Sequence, residues 1–141
     1  MASKAVVDAV EARLGPSWTA ADGSVLPVFG INTSGDTPSD GTPFIATQYP
    51  VANGEQITIG TPGTQVWREE GAIRFVLNIA RGAGVAQGLQ WADELATLFR
   101  GKQFGGVSTW APTSPVLDNS NDVGNYWTLS FVCPYYTDIQ G

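Results

Sequence analysis

Histidine is absent from all 141 residues, which removes the commonest general base and the commonest metal ligand. Nucleophilic catalysis would then rest on a lysine or a carboxylate. Lys4 sits close to the N-terminus and Lys102 in a turn-like stretch. The acidic pairs Glu69-Glu70 and Asp93-Glu94 are adjacent in sequence. Neighbouring residues point apart on a strand and lie about 100° apart on a helix, so neither pair forms a natural dyad. Gly82-Ala83-Gly84-Val85-Ala86-Gln87-Gly88 follows a strand-like run and opens a helical one, where glycines can admit a pyrophosphate to a helix N-terminus. Its spacing is one residue too long for the dinucleotide fingerprint, and no acidic residue ends a following strand about 20 positions on. It reads as a tight turn, with Gly88 allowing close packing. Asp118-Asn119-Ser120-Asn121-Asp122-Val123-Gly124 has calcium-loop composition, but Val123 and Leu129 stand where an EF-hand needs Gly and Glu. The sequence therefore implies no catalytic residue, no cofactor and no metal site, and we expect a non-enzymatic protein. Asn32-Thr33-Ser34 matches a glycosylation sequon, which means little without a secretion signal.

The elements that must carry these residues follow from periodicity. Val6, Val10 and Leu14 share one face of a helix over 3–14, with Ser3 placed to cap it and Gly15-Pro16 to end it. Residues 17–23 read as a loop and 24–30 as a strand that Pro27 assigns to an edge. Residues 44–51 and 56–59 read as separate strands, 65–68 as another, and Glu69-Glu70-Gly71 as a turn. Ile73, Phe75, Leu77 and Ile79 alternate along the clearest strand. The main helix spans 85–100, with Val85, Leu89, Ala92, Leu95, Ala96 and Phe99 as its apolar stripe, Trp91 half buried beside it, and Gly101 at its end. A short strand follows at 107–110. Trp127, Leu129, Phe131 and Cys133 alternate along a last strand that Pro134 stops, with Trp127 in the core. The stretch 30–43 is dense in Gly, Pro, Asp, Ser and Thr and reads as a loop, 111–125 reads as a long loop, and 60–71 is a third, loop-like segment built around the breaker run Gly60-Thr61-Pro62-Gly63, the short strand and the turn. The sum is a single α+β domain over 1–141. It has a mixed, mostly antiparallel sheet of about five to six strands with two helices packed on one face.

Composition narrows the class further. Charged residues make up 14% of the chain, against about 25% in typical globular domains. A surface of small polar groups can be covered by neighbours without burying unpaired ions. The net charge is −6 and the seven basic residues are scattered, so no phosphate-gripping patch is visible. The lone Cys133 excludes an internal disulfide and reads as a small buried hydrophobe. Neither a signal peptide nor a stretch of ~20 apolar residues is present, so we expect no membrane partner and synthesis in a cytoplasm. Trp67 and Trp110 border loops, where an aromatic is either a lid on the core or an interface anchor.

The order of features resembles a known family. Asn32, Phe44-Ile45, Gly71-Ala72-Ile73, Gly82-Ala83-Gly84, Ala92-Asp93-Glu94-Leu95, Phe99-Arg100-Gly101 and Val132-Cys133-Pro134-Tyr135 follow the pattern of the tail-terminator-like proteins of siphophages and related gene-transfer particles. The resemblance spans nearly the whole chain, except for Val51 to Glu70, where Gly- and Pro-rich stretches depart from it. It implies a structural virion protein, assembled in the host cytoplasm and placed at the head-proximal end of the tail. There it forms a homo-oligomeric, hexameric ring that caps the tail tube, ends its polymerisation and meets the head–tail connector, with DNA only in transit through the lumen. The loops are expected to supply the contacts. We expect Trp67, Arg68, Glu69 and Glu70 first among them, then Trp110, Asp118 and Asp122. Another head–tail connector or minor tail protein is the neighbouring alternative. A small-ligand or carbohydrate-binding module is the alternative from a different class, suggested by the tryptophans.

Overall fold

The computed structural model describes residues 2–30, 43–80, 86–117 and 126–140. Asn32, the sequon, Gly82-Ala83-Gly84, Asp118 and Asp122 lie outside them. Two long strands, β4 (Val66–Ala80) and β8 (Tyr126–Gln140), pair antiparallel in unbroken register from Val66↔Gln140 to Ala80↔Tyr126. β3 (Phe44–Gln56) pairs antiparallel with the other side of β4. With β1 (Ser17–Thr19), β2 (Val25–Phe29), β5 (Gln103–Phe104), β6 (Val107–Thr109) and β7 (Val116–Leu117) the sheet has eight strands, ordered β1-β2-β3-β4-β8-β6-β5, with β7 also on β8. Among the described residues only β2 and β3 pair in parallel. The mixed α+β class and the antiparallel bias are as expected, but the strand number exceeds five to six.

Strict alternation sorts the sheet into two faces. Ile73, Phe75, Leu77 and Ile79 of β4 and Leu129, Phe131, Cys133 and Tyr135 of β8 join one buried cluster. Val6, Val10 and Leu14 of α1 (Lys4–Leu14) and Trp91, Ala92, Leu95, Ala96 and Phe99 of α2 (Ala86–Phe99) belong to the same cluster. Phe75 is its centre, with ring centroids 4.7 Å from Phe99 and 5.1 Å from Phe131. The α2 stripe is rotated from its expected setting, because Trp91 is buried whereas Leu89 is 40% exposed. Gly88 explains the rotation. A Cβ there would meet Leu129 Cδ1 at 2.8 Å and Ile79 Cδ1 at 3.1 Å, so this is where the helix comes down onto the sheet.

The remaining differences share a cause: pairing overrides local turn chemistry. Residues 17–19 form an edge strand on β2 rather than a loop, so Pro27 pairs with Ser17 and does not lie at the sheet's edge. β3 runs on to Gln56 through a bulge between Gln48 and Val51. Beyond it Ile57 still donates its N–H to Val66 O (3.0 Å), but the Val66 N–H goes to the Thr58 hydroxyl, and no strand forms at 57–59. Glu69-Glu70-Gly71 is strand, not turn. Gly71 is required because a Cβ would run into the carbonyl of Val51 and lie 2.8 Å from Tyr135 Oη. Short β5 and β7 arise inside stretches that carry little strand signal. Pro134 does not stop β8. Both Val132 N–H and O bond to residue 113, and Pro134 O accepts from Trp110 N–H (2.9 Å). By strand parity the missing N–H therefore faces that same outer side, and the β4–β8 ladder loses nothing. Trp127 keeps the inward parity but is 37% exposed near the ladder's end, so it is not core.

Both helices are held at a terminus by charges from distant segments. Ser3 sits at the N-cap of α1, but its side chain makes no cap bond and its hydroxyl is buried without a partner among the described residues. Instead its N–H donates to Glu69 Oε2 (3.2 Å), placing a carboxylate at the helix's positive end. α2 has no basic residue in its last turn. Arg13 Nε donates to Leu98 O there (2.9 Å), with its guanidinium 5.1 Å from the Phe104 ring centre, and the Thr109 hydroxyl donates to Phe99 O.

Gly71→Ala should lower the urea midpoint with an unchanged slope, at a cost of about 1–3 kcal/mol from overpacking against backbone. Burial pushes the Cys133 thiol from 9.0 up to about 11 and the Tyr49 hydroxyl from 10.0 to about 12. The fold thus favours the neutral forms. Their contribution is complete below the unfolded values and is lost as pH rises through the folded ones. Unfolding free energy measured against pH should fall above about pH 9, and Cys133 should resist a thiol reagent at pH 8 until the chain unfolds.

Candidate functional site

The ends of β3, β4 and β8 extend beyond the buried cluster as a three-stranded arm, roughly residues 51–56, 66–71 and 136–140. A turn with Gly63 at φ 93° closes its tip. Ile57 (41% exposed), Ile59 (102%) and Ile139 (46%) leave apolar side chains in solvent here. Side chains alternate between the two faces, which splits the expected interface run Trp67-Arg68-Glu69-Glu70 in two.

Trp67 and Glu69 share the parity of the core face. Trp67 pairs with Ile139 beyond the helices, and both line a shallow groove of about 180 Å³ with Ala52, Asn53, Gly54, Arg68 and Glu69. Glu69 points back into the molecule, accepting from Tyr135 Oη (2.7 Å) as well as from Ser3 N–H. Burial and then this carboxylate push the Tyr135 hydroxyl well above its ordinary pKa. Glu69 is thus an internal anchor rather than a surface contact.

Arg68 and Glu70 face outward. Arg68 grips Asp138 at two points, Nε–Oδ1 2.8 Å and Nη2–Oδ2 3.1 Å. Its guanidinium lies 4.6 Å from the Tyr136 ring centre, and Tyr136 in turn packs against Trp110 with centroids 5.3 Å apart and the rings tilted by 34°. Hydrogen bonding to Arg68 holds the Asp138 carboxyl below the usual carboxylate range and raises the Arg68 pKa. The fold therefore joins two expected interface residues, Arg68 and Trp110, through Tyr136, and pairs Arg68 with Asp138; neither Tyr136 nor Asp138 was among the expected contacts. Their only advance signal was the alternation of the last strand, which would have had to be carried past Pro134. Trp110 is 56% exposed, so it sits over the outer face as a ledge rather than a lid. Asp118 and Asp122 lie outside the described residues and cannot be placed in this cluster. Among the described residues no group of three His, Cys, Asp or Glu is arranged to hold a metal, and no helix is long and apolar enough to cross a membrane.

Exposed aromatic and aliphatic groups gathered around an arginine are residue types that contact surfaces use. The sequence profile of the family described as phage tail terminator protein matches residues 5–135, and the chain belongs to that family, which is structural. No curated protein matches it. A solved structure 18% identical superposes over 100% of this chain and 99% of its own with a TM-score of 0.57, a likeness of fold alone.

Glu69→Ala should destabilise the fold by about 1–3 kcal/mol, because it strands the buried Tyr135 hydroxyl and the Ser3 N–H together. Glu69→Gln, which keeps an acceptor, should cost less. A Glu69→Ala midpoint equal to wild type would refute the inward anchor.

Proposed function

We propose that the protein is the ring-forming terminator of a phage tail. One domain per subunit assembles with copies of itself, as a hexamer, on the head-proximal end of the finished tail tube. The ring ends tube polymerisation and offers its other side to the head–tail connector, while DNA passes through the lumen. Assembly takes place in the host cytoplasm and the product resides in the virion. The family match over residues 5–135 carries this reading. Three further observations support it. A ring is built from heterologous contacts, which need two different surfaces on each copy, and the arm presents distinct inner and outer faces. Arg68, Tyr136 and Trp110 are the residue types that anchor interfaces. A net charge of −6 suits a channel that DNA must cross without releasing counterions and sticking.

The decisive experiment removes the gene from the phage and measures tails by electron microscopy. Overlong tubes without heads are expected, with normal lengths restored when the purified protein is present as tubes grow. Tails of normal length that fail only to join heads would assign the chain to another connector position. Trp110→Ala should leave the monomer folded and reduce rescue of tail length, since an exposed anchor contributes to contacts and little to the core.

A further inference from the structure

The arm has two open edges, one on each side. β3 pairs with β2 only at Ile45 and Ala46, so from Thr47 to Gln56 its far side meets no strand among the described residues. β8 pairs with β6 only up to Thr137, so among the described residues no strand meets the far side of Asp138, Ile139 and Gln140, which are exposed. Backbone parity identifies the groups that face out. Ile57 donates to Val66 O, so Glu55, Asn53 and Val51 turn their backbone toward β4, and Ala52, Gly54 and Gln56 turn theirs away. On β8, residues 132 and 134 bond to the outer side, and the same parity carries to Asp138 and Gln140. The two open stretches lie level with each other, since Glu55, Arg68 and Asp138 form one cross-strand row.

We propose that neighbouring copies join by pairing the β3 edge of one arm, through Ala52, Gly54 and Gln56, with the β8 edge of the next, through Asp138 and Gln140. This rests on reading the chain as a ring subunit. Outward N–H and C=O groups repeating every second residue call for another extended backbone. Each copy carries both halves of such a seam on opposite sides of one rigid ribbon, which is the head-to-tail geometry that closes a ring. β3 and β8 both run antiparallel to β4 and hence parallel to each other. Rotation about a ring axis preserves strand direction, so the seam is parallel. Charge permits it: Asp138 is already neutralised by Arg68, so the seam does not set two free carboxylates side by side. The bulge between Gln48 and Val51, with Pro50 inside it, limits the seam to the arm.

Backbone amide exchange, measured residue by residue on the monomer and on the ring assembled with purified tail tubes, tests this. The amides of Ala52, Gly54, Gln56, Asp138 and Gln140 should exchange roughly tenfold or more slowly in the ring. A ring in which they exchange as in the monomer overturns the seam and leaves the terminator reading standing. Failure to form any ring, with tails that still end normally without the protein, overturns both. The double variant Ala52→Pro, Gly54→Pro removes outward N–H groups while sparing those bonded to β4, and should stay folded yet fail to assemble. If it assembles like wild type the seam is refuted, and if it unfolds the exchange measurement alone decides.

Discussion

Fifteen consecutive antiparallel pairs between β4 and β8 govern the rest of the molecule. Their inner half supplies Ile73, Phe75, Leu77, Leu129, Phe131 and Cys133 as one buried surface, and both helices are placed by what fits over it. Gly88 fixes how closely α2 approaches, and Phe75 between Phe99 and Phe131 fixes where. No helix among the described residues covers the outer half, which becomes the arm. One continuous ladder thus makes both the core and the exposed arm, and the alternation that buries Ile73 also decides that Glu69 points in and Arg68 points out.

The terminal bonds of the helices couple these two halves. α1 lacks an acidic residue in its first turn and α2 a basic one in its last. Glu69, on the arm, serves the first, and Arg13, at the end of α1, serves the second. Each contact complements a helix dipole and binds segments 66 and 85 residues apart in sequence. The base of the arm is therefore tied to the N-terminus of α1 through the same carboxylate that receives the Tyr135 hydroxyl.

Much of the core was legible in the residues. Alternation placed Ile73 to Ile79 and Leu129 to Cys133 on the inner face, and the spacing of Val6, Val10 and Leu14 set the buried side of α1. What could not be read was how far the strands extend. Pro134 and Glu69-Glu70-Gly71 carry the local signals of breaks, yet the proline's lost donor falls on the side away from β4, and the glycine is there because the Val51 carbonyl and Tyr135 occupy the space of its side chain. Neither fact exists before the partner strand is in place. The interface run suffered for the same reason. Four adjacent residues looked like one loop, whereas a strand deals them to opposite faces and joins Arg68 to Tyr136 and Asp138 some 70 residues away. The pattern seen in the sequence departed from the family over this same stretch, Val51 to Glu70, which the family profile nonetheless spans.

The long ladder also makes the subunit mechanically anisotropic. Its hydrogen bonds lie across the strands, and at about 3.4 Å per residue the paired length reaches about 50 Å. A force along the strands loads all of those bonds together in shear, whereas one that peels β8 sideways from β4 breaks them one after another. The stiff direction of the chain is therefore the arm's own axis, so a pull on the tip reaches the Phe75 cluster almost undiminished, and a sideways push is absorbed by bending.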